Sequence, residues 1–450
     1  MWKKPNKCLK NSTLKKKPPK QTSATLKIFL NRREKILLKL HNNLTRKTES
    51  FKPAQGNTVK MYTCGPSTYQ RSHIGNYRTF LFEDILQRYL EYLGYRITWL
   101  ITLTNVEDKA IAQAQKENVT VDELTSRNEA VFFKNFELLH IKRPDYTVRA
   151  STIVDQAVDL IKALMEKGIA YKYTYESVEN VYYDPLKFKG FGKLAHLDLS
   201  NWPKQKRRFH KDTYPGTPWN RGDFVLWHGC NRDEAVYWDT EVGRGRPTWN
   251  IQDASMVTKH LGFTVDVACG GIDNLVRHHD YTIAVAEGVS GKQFARFWLH
   301  GAHLFADGKK MSKSIGNVYY PEDLTAKGYR SDHARFFLIY GHYSKRMNFT
   351  FKKLDETSKK LDHFKSMVQS IETAKSSNPS NSGKGLADSV TSSFEQCMDN
   401  DLQVKTAFDM LYNIVSKLYR LLEKGKLSSA DATKTIEGLK KVDSVLQVIF

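Results

Sequence analysis

Hydrophobic and polar positions change period several times along the chain, and the changes predict its elements. In TVKMYTCG (58–65) apolar and polar residues alternate and run into Gly65–Pro66, as in a strand that ends in a turn. The next stretch, 76–95, carries Phe80, Ile85, Leu86, Tyr89 and Leu90 at helical spacing and stops near Gly94. RITWLITLTNV (96–106) then reads as a second strand. A strand, turn, helix and strand in that order predict an α/β domain with a parallel sheet and a right-handed crossover. Two helical stretches follow at 122–141 and 152–171, then short aromatic strands separated by glycine turns at 180–197 and 222–229, which predict an antiparallel insertion. The parallel-sheet pattern resumes over 263–274, 278–289 and 294–305. Beyond about 326 the period is helical, interrupted by the linker-like SSNPSNSGKG at 376–385.

The predicted fold is therefore α/β: a split Rossmann-like catalytic domain with an inserted lobe and a C-terminal helical domain. Its expected segments are a basic extension at 1–41, a first nucleotide-binding half at 42–120, an inserted lobe at 121–240, a second half at 241–325 and a helical region at 326–450.

Charge adds a partner class to this picture. Seventy Lys and Arg against 48 Asp and Glu give a net charge of +22, and residues 1–50 alone hold fifteen basic residues and two Glu. Such an excess favours a polyanion, nucleic acid before an anionic membrane surface. No secretory apolar core and no stretch of membrane-spanning length occurs, so a cytoplasmic protein is expected, with organellar import left open. The five cysteines are widely dispersed and lack paired metal-finger spacing, which excludes a disulfide scaffold and a zinc finger.

The candidate chemistry lies in CGPSTYQRSHIGN (64–76) and, far downstream, DGKKMSKSIGN (307–317). A glycine turn at a helix start offers backbone N–H groups to phosphate, and a lysine-rich loop supplies charge for a triphosphate. With LTNVEDKAI, GRGRPTWNIQDASM and GGIDNLVRHH in series between them, the chain resembles the cysteinyl-tRNA synthetases, or a divergent paralogue within the class I aminoacyl-tRNA synthetases, over about 42–440. The resemblance implies an ATP site built from Gly65, His73, Gly75, Asn76, Lys310, Ser312, Lys313 and Ser314, with His73, Lys310 and Lys313 acting on the phosphates. Mg2+ would accompany ATP. Asn76 stands where the family usually has histidine, and is expected to act as a side-chain donor. The implied reaction is carboxylate attack on the α-phosphorus, yielding an aminoacyl adenylate and pyrophosphate.

The implied amino-acid pocket comprises Cys64, Tyr69, Trp249, Asp253, Ala268, Asp273, His278 and Thr282, and here the chain departs from its relatives. Of four family zinc positions, Cys64 and His278 are unchanged, whereas Asp253 replaces cysteine and Thr282 replaces glutamate. A weakened Cys64–Asp253–His278 site, with Asp280 as a local substitute, or no zinc at all, is expected. Ala268 and Cys269 replace a histidine and a glycine, Asn105 replaces an aspartate, and Ile153 interrupts a polar run. Glu107, Asp108 and Lys109 remain to organise a polar region. The nucleotide half of the site is thus better preserved than the thiol-recognising half, which suggests activation of another small amino acid or a zinc-independent pocket. No segment resembling the family's small anticodon-recognition part follows VDSVLQVIF. Three acceptor readings therefore stand: transfer to tRNA, ligation to an amine or carrier, and a non-catalytic RNA-binding role.

Overall fold

The computed structural model describes residues 37–203, 205–209, 222–231, 234–311, 315–374 and 382–450. At its centre five parallel strands run in the order Ala295–Gly301, Val265–Gly271, Thr58–Thr63, Arg96–Leu103, Tyr146–Arg149. Successive side chains of a strand point to opposite faces, and the sequence is apolar on both. Met61, Ile101, Val267 and Leu299 enter one core, while their neighbours Tyr62, Leu100, Ala268 and Trp298 enter the other. Both faces are covered, as a parallel sheet requires. Helix Ile74–Tyr92 packs on the first, and helices Val154–Glu166, Trp249–Leu261 and His278–Ser290 supply the second core.

The chain enters this sheet in the middle, builds outward to one edge, and returns to build the other side. Strand order therefore reverses between Thr58–Thr63 and Val265–Gly271, whose carboxyl ends lie side by side with Cys64 N–H donating to Cys269 O at 3.0 Å. Open α/β sheets hold ligands at such a reversal.

Three expected boundaries shift. Tyr146–Arg149, within the segment assigned to the insertion, pairs with Leu100–Leu103 and forms an edge of the parallel sheet. Four residues with two polar positions are too short for a periodic signal. The antiparallel insertion instead starts at Ala170 and closes at Pro247, with strands in the order Ala170–Tyr175, Val178–Tyr183, Phe224–Gly229, Gly243–Pro247, Trp238–Thr240. Its first hairpin turns on Glu176 and Ser177, both at positive φ (47° and 68°), the two-residue turn whose twist matches paired strands. The extension expected at 1–41 ends earlier: Leu38 and Leu40 are in the core, and strand Lys39–Asn42 pairs with Lys47–Ser50. The rest of that extension, 1–36, lies outside the described residues.

The C-terminal region is helical as far as Phe351–Glu372, Lys384–Met398, Val404–Glu423 and Ser429–Leu446 are concerned. Before them, however, Met347–Phe349 forms a parallel pair with Leu304–Ala306, which in turn pairs with Lys309–Lys310. Residues 38–450 form one compact unit. A fully buried Arg335 ties it together. Its guanidinium donates to Asp84 Oδ2 (2.6 Å), Leu446 O (2.7 Å), Leu139 O (2.9 Å) and His140 O (3.0 Å). Among the described residues no helix is long and apolar enough to cross a membrane.

Candidate active site

A cleft of about 270 Å³ opens at the strand-order reversal. The turn after Thr58–Thr63, the start of helix Ile74–Tyr92 and the segment entering the lysine-rich loop all reach it: Gly65, His73, Gly75, Asn76, Lys310 and Met311 share its wall. Gly65 is required by close approach, since a Cβ there would lie 1.7 Å from Thr102 O. Its N–H donates to Thr102 Oγ1 at 3.1 Å. Gly65→Ala is expected to cost ~1–3 kcal/mol of stability, as overpacking does, read as a lowered thermal midpoint. A Cβ on Gly75 would sit 2.9 Å from both the His73 ring and the Met311 methyl, so this glycine lets the loop base pass against the helix start.

The helix start is not the open N–H cradle that its glycine suggests. His73 is the N-cap: its Nδ1 accepts from Gly75 N–H (3.1 Å) while Asn76 Oδ1 accepts from His73 N–H (3.0 Å). The next N–H groups are also engaged, Ile74 with Tyr319 O, and Asn76 and Tyr77 with His73 O. Side chains must therefore make the first contacts with an anion here. With Nδ1 accepting, the ring proton of neutral His73 sits on Nε2. Asn76 is engaged through its oxygen as an acceptor, so the donor role expected of it falls to its amide nitrogen.

Lys310 belongs to the two-residue strand paired with Phe305, and the loop base is pinned by Asn317, whose amide donates to Ala306 O and Lys310 O, both at 3.3 Å. Ser312, Lys313 and Ser314 lie outside the described residues. Cys64, Tyr69, Trp249 and Asp273 also line the cleft. Burial, then the nearby Glu107, pushes the Tyr69 hydroxyl above its ordinary range.

The other four expected pocket residues are buried beneath the cleft and do not line it: Asp253, Ala268, His278 and Thr282 are each at most 2% exposed. Asp253 Oδ2 accepts from Tyr62 Oη–H and lies 2.8 Å from His278 Nε2. Burial raises the carboxyl of Asp253, but His278 and the bonds from His278, Tyr62 and Thr102 outweigh it and leave the group below its usual range. His278 stacks on Trp249 with ring centroids 3.9 Å apart. Thr282 Oγ1–H donates to His278 O at 3.0 Å, turning its hydroxyl back onto its own helix. The implied zinc positions therefore do not fit together as a four-ligand set, because Asp253 is committed to His278 and Thr282 to the backbone. Asp280 is not a substitute either. It accepts from Leu194 and Ala195 N–H (3.0 and 3.2 Å) in the inserted lobe, and burial pushes its carboxyl up to about 7. The ligand-capable group among the described residues is Cys64, His278 and His279, with one ligand atom from each within 4.8 Å of the others.

Two substituted positions have structural roles. Asn105 both donates to Ser151 Oγ (2.8 Å) and accepts from Ser151 N–H (3.0 Å), a pairing in which aspartate would lack the donor. Ile153 is buried at the start of helix Val154–Glu166. Among the polar trio, Glu107 and Lys109 line the cleft, whereas Asp108 accepts from Arg246 Nη2 at 3.1 Å.

Sequence reasoning missed Ser67, Asn274 and His303, all on the cleft wall. Asn274 Nδ2 donates to Cys64 Sγ at 3.3 Å. His303 is held below its ordinary range by burial, against the upward pull of Asp273. Its place between a sheet strand and the lysine-rich loop was the one available signal.

The family profile described as "tRNA synthetases class I (C) catalytic domain" matches residues 50–359. The chain is 38% identical to the cysteine–tRNA ligase of Chlamydia pneumoniae over 416 residues, covering 92% of this chain and 86% of that protein. The chain belongs to this family. The synthetase is also 34% identical to the cysteine–tRNA ligase of Protochlamydia amoebophila, again over 92% of its length. In fold it is similar to methionyl-tRNA synthetase of Mycobacterium tuberculosis in complex with methionyl-adenylate, with TM-score 0.63, 14% identity, and coverage of 88% of this chain and 90% of that one. The mixed α/β architecture with a parallel catalytic sheet is thus that of class I synthetases. The chemistry of the synthetase is ATP-dependent activation of an amino acid as an aminoacyl adenylate, releasing pyrophosphate.

Proposed function

We propose that this synthetase activates a small amino acid, cysteine by analogy with the relatives' names, and transfers it to tRNA. The observation that carries the reading is one cleft lined by two kinds of group: His73, Asn76 and Lys310, which offer polar contacts and charge, and Cys64, Trp249 and Asp273. A triphosphate held by the first group, accompanied by Mg2+, would bring its α-phosphorus toward an amino acid held by the second. The Asp273 carboxylate complements an α-ammonium, and Trp249 limits side-chain size. The amino-acid carboxylate oxygen then forms a bond to the α-phosphorus while the α–β phosphoanhydride bond breaks. Most of the rate comes from alignment and from charge placed against the phosphoryl oxygens. His73 donates through Nε2–H, Lys310 stabilises charge on the departing pyrophosphate, and Lys313 is assigned the same task from its motif. The basic balance of the chain suits a polyanionic acceptor.

The test is ATP–pyrophosphate exchange run separately with each proteinogenic amino acid. Cysteine-dependent exchange is expected. Exchange with another residue alone would replace the substrate, and none with any would remove the catalytic reading in favour of an RNA-binding role. Labelled transfer to total tRNA then checks the acceptor, since adenylate formation without tRNA charging would favour an amine or carrier ligase.

A further inference from the structure

Glu107 is the N-cap of helix Asp108–Glu117, but its side chain makes no capping bond. Its Oε1 accepts instead from Ser67 Oγ–H, on the turn that follows Cys64. Ser67 is half-buried, Glu107 is buried, and both line the cleft. The backbone holds the pair in register. Past the ends of the central strands Thr68 N–H donates to Thr104 O (2.9 Å) and Thr104 N–H to Pro66 O (3.2 Å), which lays the two segments side by side. Thr68 O is fixed by Asn128 Nδ2 at 2.8 Å, and Val106 O by Gln252 Nε2 at 2.6 Å. The next residue, Asp108, accepts from Arg246 on the inserted-lobe strand Gly243–Pro247, so the pair stands where the parallel sheet meets the lobe. A serine whose proton is given to a carboxylate has its lone pairs left to accept, and a carboxylate behind it favours an uncharged hydroxyl over a phosphate.

We propose that the Ser67–Glu107 pair takes the proton of the acceptor's terminal ribose hydroxyl during aminoacyl transfer, an assignment that rests on the tRNA reading above. In that reading His73 and Lys310 act on the phosphates and Asp273 is held by the α-ammonium, which leaves the proton of an attacking hydroxyl without an acceptor. Ser67 Oγ accepts the hydrogen bond of that hydroxyl. The hydroxyl oxygen then forms a bond to the aminoacyl carbonyl carbon, while the bond from that carbon to the phosphate oxygen breaks and AMP leaves. The hydroxyl proton passes to Ser67 Oγ as the Ser67 proton passes to Glu107, so the serine is restored and the carboxylate ends protonated. Ser67 thus touches the substrate, and Glu107 works through it. Such a base has no part in the first half of the reaction, where a carboxylate that is already ionised attacks the α-phosphorus.

The experiment follows two steps in the full chain: amino-acid-dependent ATP–pyrophosphate exchange, and single-turnover transfer of a labelled amino acid from the enzyme-bound adenylate to total tRNA. Glu107→Gln still accepts from Ser67 but cannot take its proton. Transfer should fall ~10²–10⁴-fold, the usual worth of a positioned base, with exchange changed far less. Ser67→Ala, the second variant should Glu107→Gln fail to fold, should also lose transfer selectively. The double variant should be no slower than the slower single one, because residues that act as a unit are not additive. A folded Glu107→Gln that transfers at the unaltered rate overturns the proposal. So do equal losses of exchange and transfer, which would assign the pair to ATP or to structure alone, and losses that add in full in the double variant. If the unaltered protein forms the adenylate but charges no tRNA, the acceptor reading falls and takes this assignment with it. Charging by the unaltered protein together with unimpaired transfer in Glu107→Gln leaves that reading standing and removes this assignment alone.

Discussion

His73→Asn is expected to lower amino-acid-dependent ATP–pyrophosphate exchange by ~10²–10³-fold, the loss that follows removal of one oriented donor from a developing charge. The choice of asparagine separates two jobs of one side chain. His73 caps helix Ile74–Tyr92 through Nδ1 and Gly75 N–H, and asparagine is among the best residues for that task. The thermal midpoint should therefore barely move, and the loss should fall on exchange alone. His73→Ala removes the cap as well and should add ~1 kcal/mol of destabilisation. A His73→Asn enzyme with unaltered exchange would reduce this histidine to a helix cap and return the phosphate wall to Lys310 and the downstream loop.

The second large effect is on stability. Arg335→Met should cost ~3–5 kcal/mol, because it removes one of the two guanidinium partners of the buried Asp84 carboxylate together with its own bonds to buried carbonyls. The same change frees the carbonyls of Leu446 and Leu139, in two segments that this guanidinium joins, and leaves His140 O to Arg88. Asp84 retains Arg88 and the N–H of Lys142, so the chain should still fold at low temperature. A urea midpoint close to that of the unaltered protein would show that the packing of the surrounding helices, and not this arginine, holds the C-terminal region in place. Asp84 lies on the helix whose N-terminus carries His73. Partial loss of exchange in Arg335→Met, recovered at low temperature, would report that connection.

What the chain revealed before its fold was known follows from the range over which each signal acts. Alternation is local, and the strands at 58–63, 96–103 and 265–271 were therefore readable, as were the long helices. Tyr146–Arg149 was not, because an edge strand of four residues needs its neighbour to define it. Gly75 and Lys310, paired by the resemblance, both line the cleft, but the resemblance could not show that His73 caps its own helix, since histidine is an uncommon cap. Through the resemblance Asp253 was expected as a ligand and Thr282 as a pocket residue at a replaced ligand position, with Asp280 as a local substitute. Each is instead taken by a bond to Tyr62 and His278, to His278 O, or to the inserted lobe. His279 Nδ1 lies 2.8 Å from His300 Nε2, and His300 Nδ1 lies 3.0 Å from Asn43 Oδ1, contacts that join distant parts of the sequence and that no local spacing announces.

The strand Thr58–Thr63 stands mid-sheet, yet its neighbour on one side, Val265–Gly271, is separated from it by two further strands of the sheet, five α-helices and the entire inserted lobe. During synthesis the early half must wait, with one flank of its central strand exposed, until the ribosome has delivered the chain past Gly271. Long-range pairing of this kind is slow to form and vulnerable to aggregation while incomplete. A ribosome-bound fragment ending before Gly271 should accordingly be unable to retain nucleotide and should depend on chaperones. Codon choice over the insertion would then govern how long that unprotected interval lasts.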